Sequence, residues 1–379
     1  MNHYIKNIYI HHLYHLHDFD IPIADEHAPH LMITGKNGSG KTVLLNALSN
    51  FLDNLKHYSI DFSKSENEEL VVTIPDSPLV VTLTDEFSQN DFIVAFYQAA
   101  RMPQMMEPQS PTKPVYNINS AAKETVTDQF LNFLSDLKIQ EALAHNAKQD
   151  DDAEQIAQWF VEFEGLLKQI YQDEALQLKF NYRNYSFLIC TEGKEFKFTQ
   201  TSDGFAAILD IVADLIMKMQ TSGSLTRAYL KKGIVLIDEV ETHLHLELQK
   251  VIMPFLTKVF PNIQFIITTH SPFVLNSLDN AVAFDLEHRE TINELTQYSY
   301  EALAEGYFGV SSESSYMQMQ LERLESLLKK TGLTDSDKYD IRQLVEDLDK
   351  VPESVSPNLV GAYMTIKNRY ASVLKTVLA

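Results

Sequence analysis

The segment from Gly35 to Thr42 reads Gly-Lys-Asn-Gly-Ser-Gly-Lys-Thr and matches the phosphate-binding pattern G-x-x-x-x-G-K-[ST] at every constrained position. An apolar run at 30–34 precedes it with the composition of a strand, and residues 43–52 follow with the apolar spacing of a helix. Glycines let such a loop turn its backbone N–H groups toward phosphates, and the helix N-terminus faces the same anion. The sequence therefore predicts a nucleoside triphosphate site.

Within this site each residue type has an expected task. Lys41 would reach the β- and γ-phosphates, and Thr42 would be a ligand of Mg²⁺. The predicted nucleotide-binding residues of the loop are Gly35, Lys36, Asn37, Gly38, Ser39, Gly40, Lys41 and Thr42.

The composition is that of a globular protein. Hydrophobic residues make up 45% of the 379 positions, and no apolar stretch reaches the roughly 20 residues needed to cross a bilayer. The formal charge of −21 weighs against non-specific coating of nucleic acid, which depends on Lys and Arg, although a local basic groove stays open. Because no secretory signal is visible and Cys190 is the single cysteine, we expect a cytoplasmic protein without an intrachain disulfide and without a membrane partner.

Two acids and a histidine follow buried-strand patterns further along the chain. Asp238 and Glu239 come directly after the apolar run 234–237, and His270 ends a second run at 263–269. In open α/β sheets, ligands bind at the carboxyl ends of such strands. ATP hydrolysis needs one carboxylate near Mg²⁺ and a second one to orient the attacking water, so this acid pair is typical of a Walker B strand.

Residues 268 to 272 read Thr-Thr-His-Ser-Pro, and with the acid pair and the phosphate loop they make the chain resemble ABC and SMC ATPases of the RecF- and OLD-like group. The resemblance implies ATP and Mg²⁺ as cofactors and implies Glu239 and His270 as catalytic residues, with His270 touching the γ-phosphate. It also implies Asp238 and Thr42 as holders of the metal. Gln98 sits where the family has a glutamine that touches Mg²⁺, and Gln89 is the alternative for that position.

Ser202-Asp203-Gly204 precedes an apolar helix and resembles the signature loop of the same family, usually Leu-Ser-Gly-Gly-Gln. Only Ser202 and Gly204 match. In the family these two residues bind the γ-phosphate of ATP held by the opposite subunit, which implies a homodimer joined through ATP between two heads, or a higher oligomer of such pairs. Residues 240–245 resemble the segment after Walker B in RecF-like and OLD-like ATPases, with Leu246 in place of a proline. A D-loop at the dimer interface is favoured there over a metal site at His243 and His245.

The predicted fold class is α/β, an ABC-type P-loop ATPase head with a mixed sheet, flanking helices, a helical-hairpin insertion and a C-terminal helical region. We expect four parts: residues 1–101 with the P-loop, a helical arm at 102–175, residues 176–289 with the signature, Walker B and His270, and helices at 290–379.

Several local patterns add detail to this division. Three β-rich runs at 70–74, 79–83 and 92–96 predict a meander. Helical spacing at 120–148 and 152–172 predicts two antiparallel helices, with the acids at 150–152 as turn and N-cap. Periodicity leaves open whether these helices form a free arm or a packed subdomain. Beyond residue 290, helices are expected at 320–330 and 338–348, with a single final helix at 359–378.

The divergent signature and the short insertion are similar to those of stand-alone ATPases of bacterial anti-phage systems such as PARIS, Septu and retron modules. That likeness implies a sensor or regulatory scaffold that controls a separate effector, a nuclease or toxin. Asp335-Ser336-Asp337 is interpreted as a helix cap and not as the acidic motif of a nuclease domain. A DNA-repair or chromosome-maintenance ATPase that clamps DNA between paired heads is the alternative, and a nucleotide switch with negligible turnover is a third.

Overall fold

The computed structural model describes residues 5–23, 30–57, 70–73, 92–101, 105–108, 121–220, 231–292, 300, 302–303, 315–351 and 357–378. The chain divides into two compact units, Met1–Tyr300 and Glu301–Ala379. The finer four-part division expected from the sequence stays a prediction.

A six-stranded mixed sheet is the centre of the first unit. In spatial order its strands are β12 (Glu290–Ile292), β11 (Ala281–Asp285), β3 (His30–Thr34), β10 (Ile263–Thr268), β9 (Lys232–Ile237) and β5 (Phe92–Tyr97). All neighbours run parallel except β11 and β12. Strands β3, β5 and β10 are buried along their whole length, which suits continuous apolar runs covered on both faces. The α/β class with a mixed sheet is confirmed.

A second sheet joins β2 (Leu16–Pro22), β1 (Asn7–Leu13) and β4 (Leu70–Thr73) in that order, with antiparallel pairing. Apolar side chains of β1 and β2 share a core with the central sheet and with helix α1 (Lys41–His57). The predicted meander is therefore wrong, because β4 pairs with β1 whereas β5 lies beside β9 in the other sheet. The physical reason is that β5 is apolar on both faces and needs cover on both sides. The predicted run at 79–83 lies outside the described residues.

The helical insertion packs on a third, three-stranded sheet. Helices α2 (Phe130–Asn146) and α3 (Asp150–Tyr171) lie against each other beside β6 (Gln177–Asn181), β7 (Ser186–Thr191) and β8 (Lys194–Phe196). Phe160 stacks on Phe187 at 5.9 Å, and the Ser135 hydroxyl donates to the carbonyl of Tyr185 at 2.8 Å. The hairpin tip at 145–151 is exposed. This packing favours a subdomain over a free arm.

The acids at 150–152 have a different place from the one expected. They form the first turn of α3, and Gln149 is the N-cap residue. Acidic side chains are stabilised at this end of a helix because they face the positive end of its dipole.

Helix α4 (Asp203–Met219) buries two acids on its inner face, Asp210 and Asp214. The Asp214 carboxylate accepts from the Tyr97 hydroxyl and the Val126 N–H, both at 2.7 Å, and pairs with Lys218 at 2.9 Å. Because Tyr97 ends β5, this network fixes α4 against the edge of the central sheet. Helices α5 (Leu246–Val259) and α6 (Pro272–Leu275) follow β9 and β10 respectively.

The second unit is a small helical bundle. Its helices are α7 (Ser315–Leu328), α8 (Asp335–Leu348), α9 (Pro357–Arg369) and α10 (Ala371–Leu378), around an apolar core that includes Leu324, Ile341 and Tyr363. The single final helix that the sequence predicts is wrong, since the helix breaks at Tyr370. The break allows α10 to return its apolar face to the same core through Leu374.

The cap interpretation of residues 335–337 is confirmed. Thr334 accepts from the Asp337 N–H at 3.2 Å, and the Asp337 carboxylate accepts from the Thr334 N–H at 3.0 Å. Among the helices that the structure describes in both units, none combines the length and the apolar character that crossing a bilayer requires.

Candidate nucleotide-binding site

Four adjacent parallel strands deliver the predicted site residues to one edge of the central sheet. The phosphate loop follows β3, Thr269 and His270 follow β10, the acid pair follows β9, and Gln98 follows β5. Because parallel strands place their carboxyl ends together, motifs that are far apart in the sequence meet here.

The phosphate loop depends on glycine at defined positions. Gly35 and Gly40 have φ angles of 132° and 101°. A Cβ atom at Gly35 would lie 2.9 Å from the Ser39 hydroxyl oxygen, and one at Gly40 would lie 2.9 Å from a methyl carbon of Leu16. The loop is therefore closed to any larger side chain at both ends. Lys36, Asn37 and Gly38 are exposed at its rim.

The Lys41 side chain is buried inside this loop. Its ammonium donates to the carbonyl of Gly35 at 2.8 Å and to that of Lys36 at 3.0 Å. Burial lowers the pKa of Lys41, and the negative charges of Glu239 and Asp238 oppose that shift. A cation held here by backbone carbonyls and facing two carboxylates is suited to a phosphate chain. On the rim, Lys36 forms an ion pair with Glu287 at 2.8 Å.

The Asp238 carboxylate joins the phosphate loop to the β9 and β10 strand ends. It accepts from the Thr42 hydroxyl at 2.9 Å and from the Thr268 hydroxyl at 2.7 Å. The Thr268 oxygen in turn accepts from the Glu239 N–H at 2.8 Å. The role of Thr268 was missed in the sequence, because a threonine near the end of a buried strand carries no signal of its own.

Glu239 has an unusual backbone, with φ of 45°. A non-glycine residue in the left-handed region is strained, and such strain persists only where the surroundings enforce it. Here the Thr268 hydroxyl holds its N–H, and its carbonyl accepts from the Thr242 N–H at 3.0 Å.

His270 is half-buried immediately beyond β10. Burial is the main cause that lowers its pKa, and the positive charge of Lys41 acts in the same direction. The imidazole is therefore neutral near pH 7, with one N–H to donate and one nitrogen to accept. The backbone N–H of His270 donates to Glu241 at 2.6 Å.

Two residues that the sequence did not single out fix the segment after β9. The Arg101 guanidinium donates to the carbonyls of Asp238 at 3.3 Å and Val240 at 3.1 Å. Glu241 accepts from the Thr269 hydroxyl at 2.7 Å as well as from His270. Burial lowers the pKa of Arg101, and the negative charge of Glu241 opposes that shift. Burial raises the pKa of Glu241, and the hydrogen bonds from His270 and Thr269 oppose that shift.

Gln98 is exposed directly after β5. The carbonyl of its neighbour Tyr97 accepts from the Asp238 N–H at 2.8 Å, so Gln98 and Asp238 occupy adjacent strand ends. The alternative, Gln89, lies outside the described residues. The metal-binding role of Gln98 stays a prediction.

The predicted signature residues lie at the N-terminus of α4. Ser202 is the exposed N-cap residue, and its side chain makes no capping hydrogen bond. Gly204 is buried, and a Cβ atom there would lie 2.9 Å from the carbonyl oxygen of His243. The close approach of the 243–244 segment explains the glycine. The structure thus groups Lys41, Thr42, Asp238, Glu239 and His270, and it sets Gly204 beside the predicted D-loop.

A phosphate loop, an acid pair and a histidine on neighbouring strand ends define the class of P-loop ATPase domains. Residues 31–276 match the family described as "AAA domain, putative AbiEii toxin, Type IV TA system", and the chain belongs to this family.

Three relatives are similar to parts of this chain. The Septu protein PtuA of Bacillus mycoides (strain KBAB4) is 32% identical over 163 residues, which are 41% of this chain and 23% of that protein. The Retron Vc95 probable ATPase of Vibrio cholerae serotype O1 biovar El Tor is 30% identical over 146 residues, 38% of this chain and 28% of that protein. The Retron Ec83 probable ATPase of Escherichia coli is 44% identical over 82 residues, 21% of this chain and 15% of that protein. The chain thus spans less than a third of the length of these relatives.

Among solved structures, the SMC head domain from Thermotoga maritima aligns over 74% of this chain and 94% of that one, at 14% identity and a TM-score of 0.39. A TM-score this low adds nothing to the topology described above.

Proposed function

We propose that this chain hydrolyses ATP at a site completed by a second copy of itself, and that the state of this site controls a separate effector in anti-phage defence. One observation carries the hydrolytic part of the proposal. The hydrogen bond of 2.9 Å between the Thr42 hydroxyl and the Asp238 carboxylate joins the phosphate loop to the acid pair. Glu239 then follows Asp238 on a backbone that is held in a strained conformation.

The residues present suit Mg²⁺. Thr42 and Asp238 offer a hydroxyl and a carboxylate oxygen, which are the hard donors that this ion prefers, and Gln98 stands at the adjacent strand end with an amide oxygen. When bound, Mg²⁺ neutralises charge that develops on the β- and γ-phosphates.

The side chains have distinct tasks in this proposal. Lys41 binds the β- and γ-phosphates from inside the loop, where its ammonium is desolvated and its field is strong. Glu239 orients the attacking water and accepts its hydrogen bond. His270, neutral because of burial, donates an N–H toward the γ-phosphate. The product of this chemistry is ADP and phosphate.

The exposed N-terminus of α4 supports a composite site. A helix of this length presents unpaired N–H groups and the positive end of its dipole to an anion. Ser202 adds an exposed hydroxyl that caps nothing within its own chain. In the proposed homodimer this end meets the γ-phosphate held by the other copy, and the reciprocal contact follows from two-fold symmetry. A higher oligomer would stack such pairs.

The defence role rests on the relatives. They are a Septu protein and ATPases of retrons, and the family match at residues 31–276 includes the phosphate loop and the acid pair. We propose a cytoplasmic sensor and scaffold whose joined heads hold a nuclease or toxin, and whose ATP turnover changes that contact.

Glu239→Gln tests the hydrolytic role. The amide keeps the size of the side chain but is a poorer base, so phosphate release should fall by about a hundredfold or more while nucleotide affinity is kept. With ATP and Mg²⁺ the variant should also elute as a dimer in light-scattering chromatography. Glu247→Gln is the matched control, since the Glu247 side chain is 76% exposed. Unchanged turnover and an unchanged oligomeric state in Glu239→Gln would contradict the proposal.

A further inference from the structure

The Glu241 carboxylate joins two loops that carry different catalytic groups. It lies two positions after Glu239 in the segment between β9 and α5. One of its oxygens accepts from the His270 N–H at 2.6 Å, and the other accepts from the Thr269 hydroxyl at 2.7 Å. Both donors belong to the two residues that follow β10. A single side chain therefore fixes the histidine loop, residues 269–271 after β10, to the acid loop, residues 238–241 after β9.

The Thr269 hydroxyl extends this connection into the histidine loop. Its oxygen also accepts from the Ser271 N–H at 3.0 Å. The Ser271 hydroxyl caps α6 by accepting from the Phe273 N–H at 3.2 Å, and it donates to Gln249 on α5 at 2.7 Å. The backbone on both sides of His270 is thus fixed by hydrogen bonds that begin at Glu241.

Arg101 holds the same segment from another direction. Its guanidinium donates to the carbonyls of Asp238 and Val240, the residues on either side of Glu239. The negative charge of Glu241 favours the ionised form of Arg101, whereas burial and the charge of Glu239 raise the pKa of Glu241. Hydrogen bonds to a partly buried carboxylate are charge-assisted and short, so they restrict the loop more than neutral bonds would.

We propose that Glu241 is a positioning residue that carries His270 and Glu239 to the nucleotide as one unit, and this inference rests on the ATPase function proposed above. Glu241 touches neither substrate nor metal in this account. Glu241 acts through the backbone N–H of His270, so that a displacement of the acid loop also displaces the imidazole of His270. Because Glu241 is itself part of the predicted D-loop at 240–245, an approaching second copy that moves these residues would also move His270.

The test compares Glu241→Ala and Glu241→Gln in the full chain, with Glu247→Ala as the exposed control on α5. In Glu241→Ala, kcat should fall by about a hundredfold, the cost of misplacing a catalytic group by about an ångström, while KM for ATP changes by less than about threefold. Glutamine keeps one acceptor for the His270 N–H, so kcat in Glu241→Gln should be at least about tenfold higher than in Glu241→Ala, although still below the wild type. Glu247→Ala should match the wild type.

Two results would overturn the inference. One is a kcat in Glu241→Ala within about twofold of the wild type, and the other is a loss that appears in KM instead of kcat. If the alanine variant does not fold, Thr269→Val and Glu241→Gln decide the question. Thr269→Val removes one of the two contacts and should lower kcat by about tenfold at unchanged KM. Wild-type kcat in both of these variants counts against the inference.

Glu239→Gln, measured beside these variants, separates the two proposals. If wild-type turnover is absent or does not depend on Glu239, the ATPase proposal fails. If turnover depends on Glu239 but not on Glu241, the positioning role alone fails.

Discussion

The carboxyl end of the central sheet is held together by hydrogen bonds between polar side chains. The core of the hairpin subdomain, formed by α2, α3 and β6–β8, is instead held together by contacts between aromatic rings. At the sheet edge, Asp238, Thr268 and Thr269 are buried polar residues linked by hydrogen bonds. In the hairpin core, Trp159 lies 5.3 Å from Phe163 and 5.7 Å from Phe133, measured between ring centroids. The first region holds functional groups in place, whereas the second supplies apolar burial.

The two regions also differ in what their distinctive features contribute to stability. At the sheet edge Glu239 and His243 have φ angles of 45° and 69°, a conformation that costs about 1 kcal/mol or more for a residue with a Cβ atom. Aromatic pairs in the hairpin instead contribute about 0.5–1.5 kcal/mol each beyond their burial. The comparison teaches that substitutions at the edge should reduce function with little loss of stability, and that substitutions in the hairpin core should do the reverse.

The largest expected effect is on stability. Trp159→Ala removes the ring at the centre of the aromatic cluster and should lower the free energy of unfolding by about 3–5 kcal/mol. Nucleotide affinity of the folded protein should stay within about twofold, because no side chain of the phosphate site is changed. Chemical denaturation and titration with a fluorescent nucleotide measure the two quantities.

Val161→Ala on the same helix is the control for that measurement. The side chain of Val161 is 65% exposed, so its loss should change the free energy of unfolding by no more than about 0.5 kcal/mol. If Trp159→Ala lost as much free energy of nucleotide binding as free energy of unfolding, the contrast between the two regions would be contradicted.

Lys41→Ala should show the opposite pattern. Loss of a charged donor to phosphate should weaken ATP affinity by about tenfold to a hundredfold. The free energy of unfolding should not fall by more than about 1 kcal/mol, because the removed ammonium is desolvated in the fold. Calorimetric titration with ATP and thermal denaturation test this, with the exposed Lys329→Ala as control. A large loss of stability together with unchanged affinity would reject the assignment of Lys41.

His30 is a buried polar residue at the start of β3, at the opposite end of that strand from the phosphate loop, so its contribution to stability can be measured apart from nucleotide binding. Its Nδ1 accepts from the Phe265 N–H at 3.2 Å, and burial lowers the pKa of His30 to about 4. Below pH 6.5, His30 is protonated in the unfolded chain but stays neutral in the folded chain. The free energy of unfolding therefore falls as the pH falls toward 4. The loss between pH 7 and pH 5 should be roughly 2 kcal/mol.

His30→Asn keeps an acceptor for the Phe265 N–H but does not titrate, so it should flatten this part of the stability profile. Denaturation at several pH values provides the measurement. The same slope in the variant and the wild type would show that His30 is not the titrating group.

The sequence was most informative where a function is encoded locally. Gly35 to Thr42 form a contiguous pattern, and Asp238 and Glu239 follow an apolar run that suits a buried strand, so the phosphate loop and the acid pair were predictable. The helix cap at residues 335–337 was predictable for the same reason, and in the structure Asp337 completes a capping box with the N-cap residue Thr334.

Other features depend on neighbours that are distant in the chain. Thr268 bonds Asp238 across 30 positions, and Arg101 reaches Val240 across 139, so neither role is visible in a local pattern. The apolar run of β5 indicated a strand but not its partner, which led to the wrong meander. The helical spacing of 152–172 likewise indicated which residues face inward without identifying the sheet against which they pack.

The composite site is tested most directly by mixing two variants in a phosphate-release assay. Lys41→Ala should disable the phosphate loop, and Ser202→Asp should disable the signature by setting a negative charge against the γ-phosphate, so each protein alone should be inactive. In a two-fold dimer, a mixed pair carries one site with both defects and one intact site, so random mixing should restore about a quarter of wild-type turnover. No recovery on mixing, with dimers present, or full activity of the signature variant alone would contradict a site shared between two copies.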